Sequence, residues 1–228
     1  MTEKYYWDVD VANATKMGMY LTENEMRFID SFLDQHTIKN CLDIGCGSGR
    51  FSVPLHKKGI NMTALDCNTL PLNILKEKAP DIKTLCLDAS NGLPFENSSF
   101  DCIIAIELVD YLPDLTSFFK ECNRVLKSGG FLLFTSANKN SYKNLLHKIF
   151  SRYRTFYRFS FTDVKSSIEK SGFLVEKVCG FHWIPCDRVS SSKLIPFFES
   201  IEKKMKLQNL PSISPWVFFI AKKEGSYF

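Results

Sequence analysis

The 228-residue sequence lacks several features that would assign it at once to a broad class of protein. It has no apolar run long enough to cross a membrane, and no basic and then apolar N-terminal segment typical of a signal peptide. Its eight cysteines form no CxxC pair and lie at no zinc-ligand spacing from a histidine. Several of them fall inside apolar runs, where a free cysteine behaves as a small hydrophobic residue. These absences predict a cytoplasmic protein without a metal site.

Strong charge, internal repeats and low-complexity tracts are also missing. The formal net charge is only +4, which allows an acidic substrate but disfavours nucleic acid as a partner. Hydrophobic residues make up 45% of the chain, and 20 of its residues are phenylalanine, so a full core can be buried. We therefore predict one domain over residues 1–228, without a prediction for its oligomeric state.

The apolar segments alternate between short strand-like runs and helix-like stretches. Strands are predicted at 41–44, 60–65, 82–87, 100–106, 131–135, 173–178 and 216–221, and the helices between them at 48–58, 70–78 and 115–126. Such alternation predicts an α/β fold, doubly wound, with a mostly parallel sheet and helices on both faces. Gly129-Gly130 is predicted to close the third of these helices.

Other segments are predicted to surround this alternating core. Residues 1–37 form a predicted N-terminal helical cap, whose helix over 22–36 would begin at Thr22, with Glu25 completing a capping box. Two insertions, 138–161 and 181–214, are predicted to lie over the substrate side. Thr162 is predicted to cap one further helix, and residues 193–206 to form another.

The stretch from Asp43 to Arg50 carries the most specific chemical information. It reads Asp-Ile-Gly-Cys-Gly-Ser-Gly-Arg and connects a predicted strand to a predicted helix. Glycines allow a sharp turn and a close approach to a ligand. The spacing is G-x-G-x-G rather than the dinucleotide G-x-G-x-x-G, and no Gly-Lys-Ser/Thr follows, which excludes a P-loop. The nearby Asp43 would repel a phosphate but suits an ammonium or a sulfonium.

Two more acids follow the next two predicted strands. Asp66 could accept both ribose hydroxyls of an adenosine, and Asp88 could accept from an adenine amine. Each acid alone is more simply explained as a helix cap or a turn residue. Three acids at successive strand ends, beside one glycine loop, favour a nucleoside-like ligand without phosphate.

These motifs together resemble those of class I S-adenosylmethionine (SAM)-dependent methyltransferases. The resemblance includes the Asp43–Gly49 loop, Leu-Pro-Phe before Ser-Phe-Asp at 93–101, and Arg-Val-Leu-Lys-Ser-Gly-Gly at 124–130. It implies a Rossmann-like sheet of seven strands with the last antiparallel, and SAM as the cofactor. The cofactor-binding residues that it implies, together with the spacing above, are Asp43, Gly45, Cys46, Gly47, Gly49, Asp66, Cys67, Asp88, Ala89, Ala105 and Ile106.

The resemblance is strongest to the small-molecule branch of that family, which includes ubiquinone- and menaquinone-pathway enzymes. It implies an enzyme that transfers a methyl group to an oxygen, nitrogen or carbon atom of a small acceptor. The Asn/Asp-Pro-Pro-Tyr motif of many amine, DNA and RNA methylating members is absent. Two alternatives stay open: methylation of a macromolecule such as tRNA or protein, and a non-catalytic SAM-binding or interaction protein.

Residues for proton transfer are weakly marked in the sequence. His182 follows a predicted strand and is a candidate general base, although a hydrogen-bonded loop histidine is the simpler interpretation. Tyr111 stands where the small-molecule branch often has histidine, and it is a second candidate.

The segment 145–161 carries three arginines, one lysine and six aromatic residues. It could be a lid over an acidic or aromatic acceptor, a base-stacking surface, an interfacial helix or a packed insertion, and we favour the lid or the insertion. Four aromatic residues near the N-terminus could cover the cofactor: Tyr5, Tyr6, Trp7 and Tyr20.

Overall fold

The structure is a computed structural model that describes residue 12 and residues 14–150, 158–186 and 190–225. Its strands are β1 Asn40–Ile44, β2 Asn61–Asp66, β3 Lys83–Cys86, β4 Phe100–Ala105, β5 Leu126–Ala137, β6 Phe173–Phe181 and β7 Trp216–Lys223. Its α-helices are α1 Lys16–Leu33, α2 Ser52–Lys57, α3 Thr69–Lys78, α4 Leu115–Val125, α5 Tyr142–Phe150, α6 Phe161–Glu169 and α7 Ile195–Lys204.

The seven strands form one sheet in the order β3-β2-β1-β4-β5-β7-β6. Strands β1 to β5 are parallel to one another, and β7 runs antiparallel to both β5 and β6. The predicted doubly wound sheet with an antiparallel last strand is therefore confirmed. The strand order reverses between β1 and β4, and ligands of such sheets bind outside the carboxyl ends of the strands at that point.

Helices cover both faces of the sheet, as predicted. On one face α1 packs through Met17, Leu21 and Ile29 over the inward residues of β1, β4, β5 and β7. On the other face α4 and α6 bury Phe119 and Ile168 against the opposite side chains of the same strands. The central strands are buried on both sides, which explains their continuous apolar runs.

The N-terminal helix begins earlier than predicted, and Thr22 does not cap it. Helix α1 starts at Lys16, where the Thr15 hydroxyl accepts from the Gly18 amide at 2.9 Å. Thr22 is therefore an interior residue, and Glu25 is buried rather than part of a capping box. Glu25, which suggested a helix start at Thr22, instead binds Arg50, as described below.

Two further boundaries differ from prediction. Helix α2 begins at Ser52, four residues later than predicted, because turns occupy the end of the glycine loop. Helix α4 passes into β5 at Leu126 instead of closing at Gly129-Gly130. At Gly130 a Cβ would lie 3.0 Å from the Asp101 carbonyl oxygen, so this glycine permits a close approach between β4 and β5.

Helix α6 is capped by Ser160 and not by Thr162. The Ser160 hydroxyl accepts from the Asp163 amide at 3.2 Å, and the Asp163 carboxylate accepts from the Ser160 amide at 2.9 Å. This capping box outcompetes the predicted cap two residues later because it satisfies two amide donors at once.

Helix α5 lies within the first predicted insertion, 138–161, and α7 within the second, 181–214. The lid prediction for 145–161 rests mainly on side chains outside the described residues. Tyr5, Tyr6 and Trp7 also lie outside the described residues, whereas Tyr20 is buried in α1.

Candidate functional site

The glycine loop after β1 is attached to the end of β2 by backbone hydrogen bonds. The amides of Gly45 and Cys46 both donate to the Leu65 carbonyl oxygen, at 2.7 and 3.0 Å. Gly45, Gly47 and Gly49 all have positive φ, at 73°, 54° and 87°. Because such angles strain any residue with a Cβ, the loop conformation accounts for all three glycines.

Packing gives a second reason for glycine at two of these positions. A Cβ on Gly49 would lie 2.4 Å from Leu75 Cδ1 and 2.9 Å from Val53 Cγ2. A Cβ on Gly45 would lie 3.0 Å from Leu108 Cδ1. These two glycines therefore let the loop pack against α2, α3 and the segment after β4.

Asp66, at the carboxyl end of β2, connects this loop to the next turn. Its Oδ2 accepts from the Gly47 amide at 2.9 Å, and its Oδ1 accepts from the Asn68 amide at 2.9 Å. The residue is half-buried beside the loop. The structure thus brings together Gly47 and Asp66, which the sequence placed 19 residues apart.

Asp43 lies inside the protein, beneath the loop. It is 1% exposed, and its Oδ2 accepts from the Ser52 hydroxyl at 2.5 Å. Burial raises the pKa of Asp43 to about 7, against the opposing effects of the Ser52 hydroxyl and the Arg50 charge. Asp43 therefore fastens the start of α2 to β1, with its carboxylate directed at Ser52.

Asp88 lies at the same edge of the sheet, beyond β3, and it caps a 3₁₀ turn over Ala89–Asn91. Its Oδ1 accepts from the Ser90 amide at 2.9 Å, and these hydrogen bonds lower the pKa of Asp88. The capping interpretation is thus correct for Asp88, whose carboxylate is also exposed to solvent. Ala89 beside it is buried. Cys67 is exposed at the surface. Desolvation of its thiol, together with the charges of Asp66 and Asp88, raises the pKa of that thiol.

Strand β4 ends in the buried Ala105, followed by the buried Ile106, and the chain turns at Glu107 with a φ of 58°. The Glu107 amide donates to the Thr135 hydroxyl on β5 at 2.7 Å. This bond fixes the turn at the switch point, directly across from the glycine loop. The side chain of Glu107 is thereby held on the side of Arg50.

A buried ionic cluster joins the loop, α1 and the β4 turn, and the sequence interpretation missed it. Arg50 Nη1 lies 2.8 Å from Glu25 Oε2, and Arg50 Nη2 lies 3.3 Å from Glu107 Oε1. Their side chains are only 9%, 1% and 13% exposed. The available signal was an arginine where a dinucleotide loop carries glycine or alanine, combined with an acidic residue, Glu25, in an amphipathic helix.

The two candidate catalytic residues lie at different places along the sheet edge. Tyr111 is 64% exposed in a 3₁₀ turn after β4, close to the switch point in the strand order. His182 directly follows β6, is 3% exposed and has a φ of 67°. Strands β5 and β7 separate β4 from β6, which corresponds to roughly 14 Å at the usual strand spacing. The structure does not bring these two side chains together.

The Leu-Pro-Phe and Arg-Val-Leu motifs form a structural brace rather than part of the site. Arg124 donates to the carbonyl oxygens of Leu93 and Phe95, each at 2.7 Å, and to both oxygens of Glu121. The Arg124 guanidinium lowers the pKa of Glu121 to about 2. This brace holds the loop before β4 against α4.

Within the described residues, no group of three or more histidine, cysteine, aspartate or glutamate side chains could hold a metal ion. No helix in that same part of the chain has the length and apolar character to cross a membrane.

The central part of the sheet is similar in sequence to known proteins. Residues 42–134 match the family model described as a methyltransferase domain. A ubiquinone biosynthesis O-methyltransferase of Colwellia psychrerythraea is 32% identical over 109 residues, which cover 46% of this chain and 44% of that protein. The chain spans about half the length of the first curated relatives it matches, at 44% and 56%.

Solved structures share the fold over a larger part of the chain. A SAM-dependent methyltransferase from Thermotoga maritima superposes with a TM-score of 0.66 at 20% identity, covering 91% of each chain. The [4+2]-cyclase SpnF superposes with a TM-score of 0.61 at 18% identity, covering 88% of this chain and 81% of that one. The second similarity illustrates that the fold alone does not determine the reaction.

Proposed function

We propose that this chain binds SAM and methylates a small-molecule acceptor, because residues 42–134 match a methyltransferase-domain model and the motifs resemble those of the class I SAM-dependent family. The observation that carries the proposal is the glycine loop attached to β2 through Gly47 and Asp66 at the switch point of the sheet. Such a loop presents backbone and carboxylate groups where ligands of doubly wound sheets bind.

The chemistry of the groups at this edge fits an adenosine-type ligand. Asp66 and Asp88 offer carboxylate oxygens to solvent, and carboxylates accept from hydroxyl and amine donors. The loop contains no lysine, and a phosphate beside Asp66 would be repelled. We propose that Asp66 accepts from the ribose hydroxyls and that Asp88 accepts from the adenine amine.

The remaining predicted cofactor residues have shape and packing roles in this proposal. Gly45, Gly47 and Gly49 would form the loop against which the ligand lies, and Cys46 and Cys67 flank it. Ala89, Ala105 and Ile106 would border it with small or apolar surface. Asp43 would act indirectly, since its carboxyl is fastened to Ser52 beneath the loop.

SAM supplies a methyl group already activated on a sulfonium sulfur, so the protein must mainly bind and orient. With SAM held by the glycine loop, Asp66 and Asp88, methyl transfer would leave S-adenosylhomocysteine and, where the acceptor atom carries one, a proton for a side chain to receive. The protein's task is to hold the acceptor atom in line with the sulfur–methyl bond and to exclude water.

We propose Tyr111 and His182 as the alternative residues that receive such a proton. Tyr111 is nearer to the glycine loop in the strand order, whereas His182 is buried at the edge of the sheet. Tyr111→Phe and His182→Gln would distinguish them. The variant lacking the proton acceptor should lose most of its turnover rate, with a changed pH profile and an unchanged affinity for S-adenosylhomocysteine.

The proposal is tested by supplying SAM labelled in the methyl group together with separated cell fractions. We expect label to appear in molecules below about 1 kDa, because the acceptor is proposed to be small. Label found only in tRNA or protein would favour a macromolecular acceptor. No transfer to any fraction, despite SAM binding, would favour a non-catalytic role.

A further inference from the structure

A cavity lies away from the glycine loop, between α1, α7 and the β6–β7 side of the sheet. Its volume is about 320 Å³, within the range of small-molecule sites. We call it the α1–α7 cavity and define it by Tyr20 and Phe28 of α1, Glu202 of α7, and Cys179 and Phe218 of the sheet. No residue proposed above for the cofactor lines it.

The floor of the α1–α7 cavity is aromatic. Phe218 is 2% exposed, and its ring centroid lies 4.0 Å from that of Phe28 at an interplanar angle of 37°. Phe181 forms part of the same lining and is also buried. A flat aromatic ring would bury its faces against these side chains with little loss of conformational freedom.

The buried charged side chains of the cavity lining are acidic. Glu202 is 8% exposed, and its Oε2 accepts from the Tyr20 hydroxyl at 2.5 Å. Burial raises the pKa of Glu202, although Lys143 and Lys203 act on it from a distance. Glu202 makes no ion pair with any residue that the structure describes. A buried carboxylate with only a neutral donor is costly, and a bound cation would offset that cost.

The cations of the lining lie at its mouth instead. Arg27 and Lys203 are 53% and 60% exposed, and each approaches Glu199, at 3.8 and 2.6 Å. Glu199 therefore offsets part of their charge near solvent. A carboxylate or phosphate ligand would have to pass them and then face Glu202 inside.

The cavity is connected to the proposed cofactor side through short contacts. Glu25 lines the cavity and binds Arg50, which follows the glycine loop. On the sheet, Phe218 pairs with Thr135, whose hydroxyl holds the Glu107 turn. Arg50 on the first route, and Thr135 and the Glu107 turn on the second, therefore lie between the cavity and the loop.

We propose that the α1–α7 cavity is a second ligand site, apart from the place of methyl transfer, and that its ligand is a small aromatic molecule carrying a protonated amine. The aromatic lining would hold the ring and Glu202 would face the ammonium group. This site does not depend on the proposed function.

The test uses three matched probes: tyramine, 4-ethylphenol and 3-(4-hydroxyphenyl)propionate. They share a phenol ring and differ in bearing a cation, no charge or an anion. Calorimetric titration of the full chain, saturated with S-adenosylhomocysteine, should give tyramine at least about 10-fold higher affinity than 4-ethylphenol, with the anion binding most weakly. Equal affinities for tyramine and 4-ethylphenol, or no binding of tyramine, would overturn the proposal.

Glu202→Gln keeps an acceptor for Tyr20 but removes the charge. It should reduce tyramine affinity to that of 4-ethylphenol, whereas the control Glu199→Gln, at the mouth on the same helix, should change it less than about 2-fold. An undiminished tyramine preference in Glu202→Gln would refute the cation site. Cys179→Phe, which fills the cavity, gives an independent test and should weaken all three probes.

Failure of this inference differs from failure of the proposed function. In every variant the affinity for S-adenosylhomocysteine should match that of the wild-type chain, because none of the altered residues borders the glycine loop. A wild-type chain that shows no tyramine preference but binds S-adenosylhomocysteine is a failure of the cavity site alone. Absence of S-adenosylhomocysteine binding in the wild-type chain is a failure of the proposed function.

Discussion

The Gly47 amide donates to the Asp66 carboxylate at 2.9 Å, so the glycine loop is held by the very acid that is proposed to bind the ribose. The other oxygen of Asp66 accepts from Asn68. Asp66 therefore orders the loop before any ligand arrives, which reduces the conformational entropy lost on binding. A variant at this position must preserve that ordering if it is to report on ligand contact.

Asp66→Asn keeps an oxygen acceptor for the Gly47 amide, which orders the loop, but it removes the charge and the acceptor of the Asn68 amide. We expect the SAM affinity to fall by at least about 10-fold, which is about 1.4 kcal/mol, because one ribose hydroxyl loses a charge-assisted bond. The free energy of unfolding should fall by about 1 kcal/mol, because the Asn68 amide loses its side-chain acceptor. Asp114→Asn, at the exposed cap of α4, is the control and should leave SAM affinity unchanged. Equal affinities in Asp66→Asn and wild type would refute the ribose role.

Gly49→Ala tests whether packing, and not only backbone conformation, requires glycine in the loop. Both Gly49 and Gly59 have φ near +88°, but a Cβ would clash with Leu75 only at Gly49, and nothing lies within 4 Å at Gly59. We expect Gly59→Ala to lower the free energy of unfolding by about 1 kcal/mol and Gly49→Ala by a further 1–3 kcal/mol or so. Urea unfolding measures both. Equal losses would mean that Leu75 moves aside without cost.

The raised pKa of Asp43 predicts a pH dependence of stability. Its folded-state pKa is raised from 3.8 to about 7 by burial, so its contribution to stability is present below about pH 4 and lost as the pH rises toward 7. Asp43→Asn removes this titration. The stability of wild type relative to Asp43→Asn should therefore fall by roughly 2–4 kcal/mol from pH 4 to pH 8.

Urea unfolding across that pH range tests the Asp43 prediction. A pH-independent cost of replacing the carboxyl by an amide does not change how the difference in unfolding free energy between the two proteins varies with pH. Asp114→Asn serves again as the control. The pKa of Asp114 is lowered by its bonds to Ser117, so its contribution is lost as the pH falls, which is the opposite trend. A pH-independent difference between wild type and Asp43→Asn would contradict the burial effect.

Arg50→Met should be among the more destabilising single changes. It leaves the carboxylates of Glu25 and Glu107 without their guanidinium, in a place where all three side chains are at most 13% exposed. We expect a loss of about 3 kcal/mol in the free energy of unfolding, partly restored by the double variant Arg50→Met/Glu25→Gln. The matched control Arg27→Met breaks an exposed pair and should cost less than about 0.5 kcal/mol. Similar losses for both arginines would contradict the buried cluster.

The strand–helix alternation and the glycine motif were sufficient to predict the sheet, because they depend on local patterning. The positions of strands β1 to β4 in the sequence are predicted by their apolar runs and by the glycine or acidic residues that follow them. Even the antiparallel last strand was implied by the resemblance, although no local pattern specifies strand direction.

Features that depend on distant contacts could not be predicted in this way. Glu25 fits a capping box by spacing alone, yet it binds Arg50, which is 25 residues away in sequence. Ser160 displaces Thr162 as the cap of α6 because both of its hydrogen bonds form there. The α1–α7 cavity depends on the packing of two helices that are far apart in the chain, so no motif indicates it.

Calorimetric titration of the wild-type chain with SAM and with S-adenosylhomocysteine tests the central claim most directly. The account predicts one binding site per chain for each compound, with dissociation constants on the order of micromolar, and weaker binding to Asp66→Asn. A correctly folded chain that bound neither compound at millimolar concentration would contradict it.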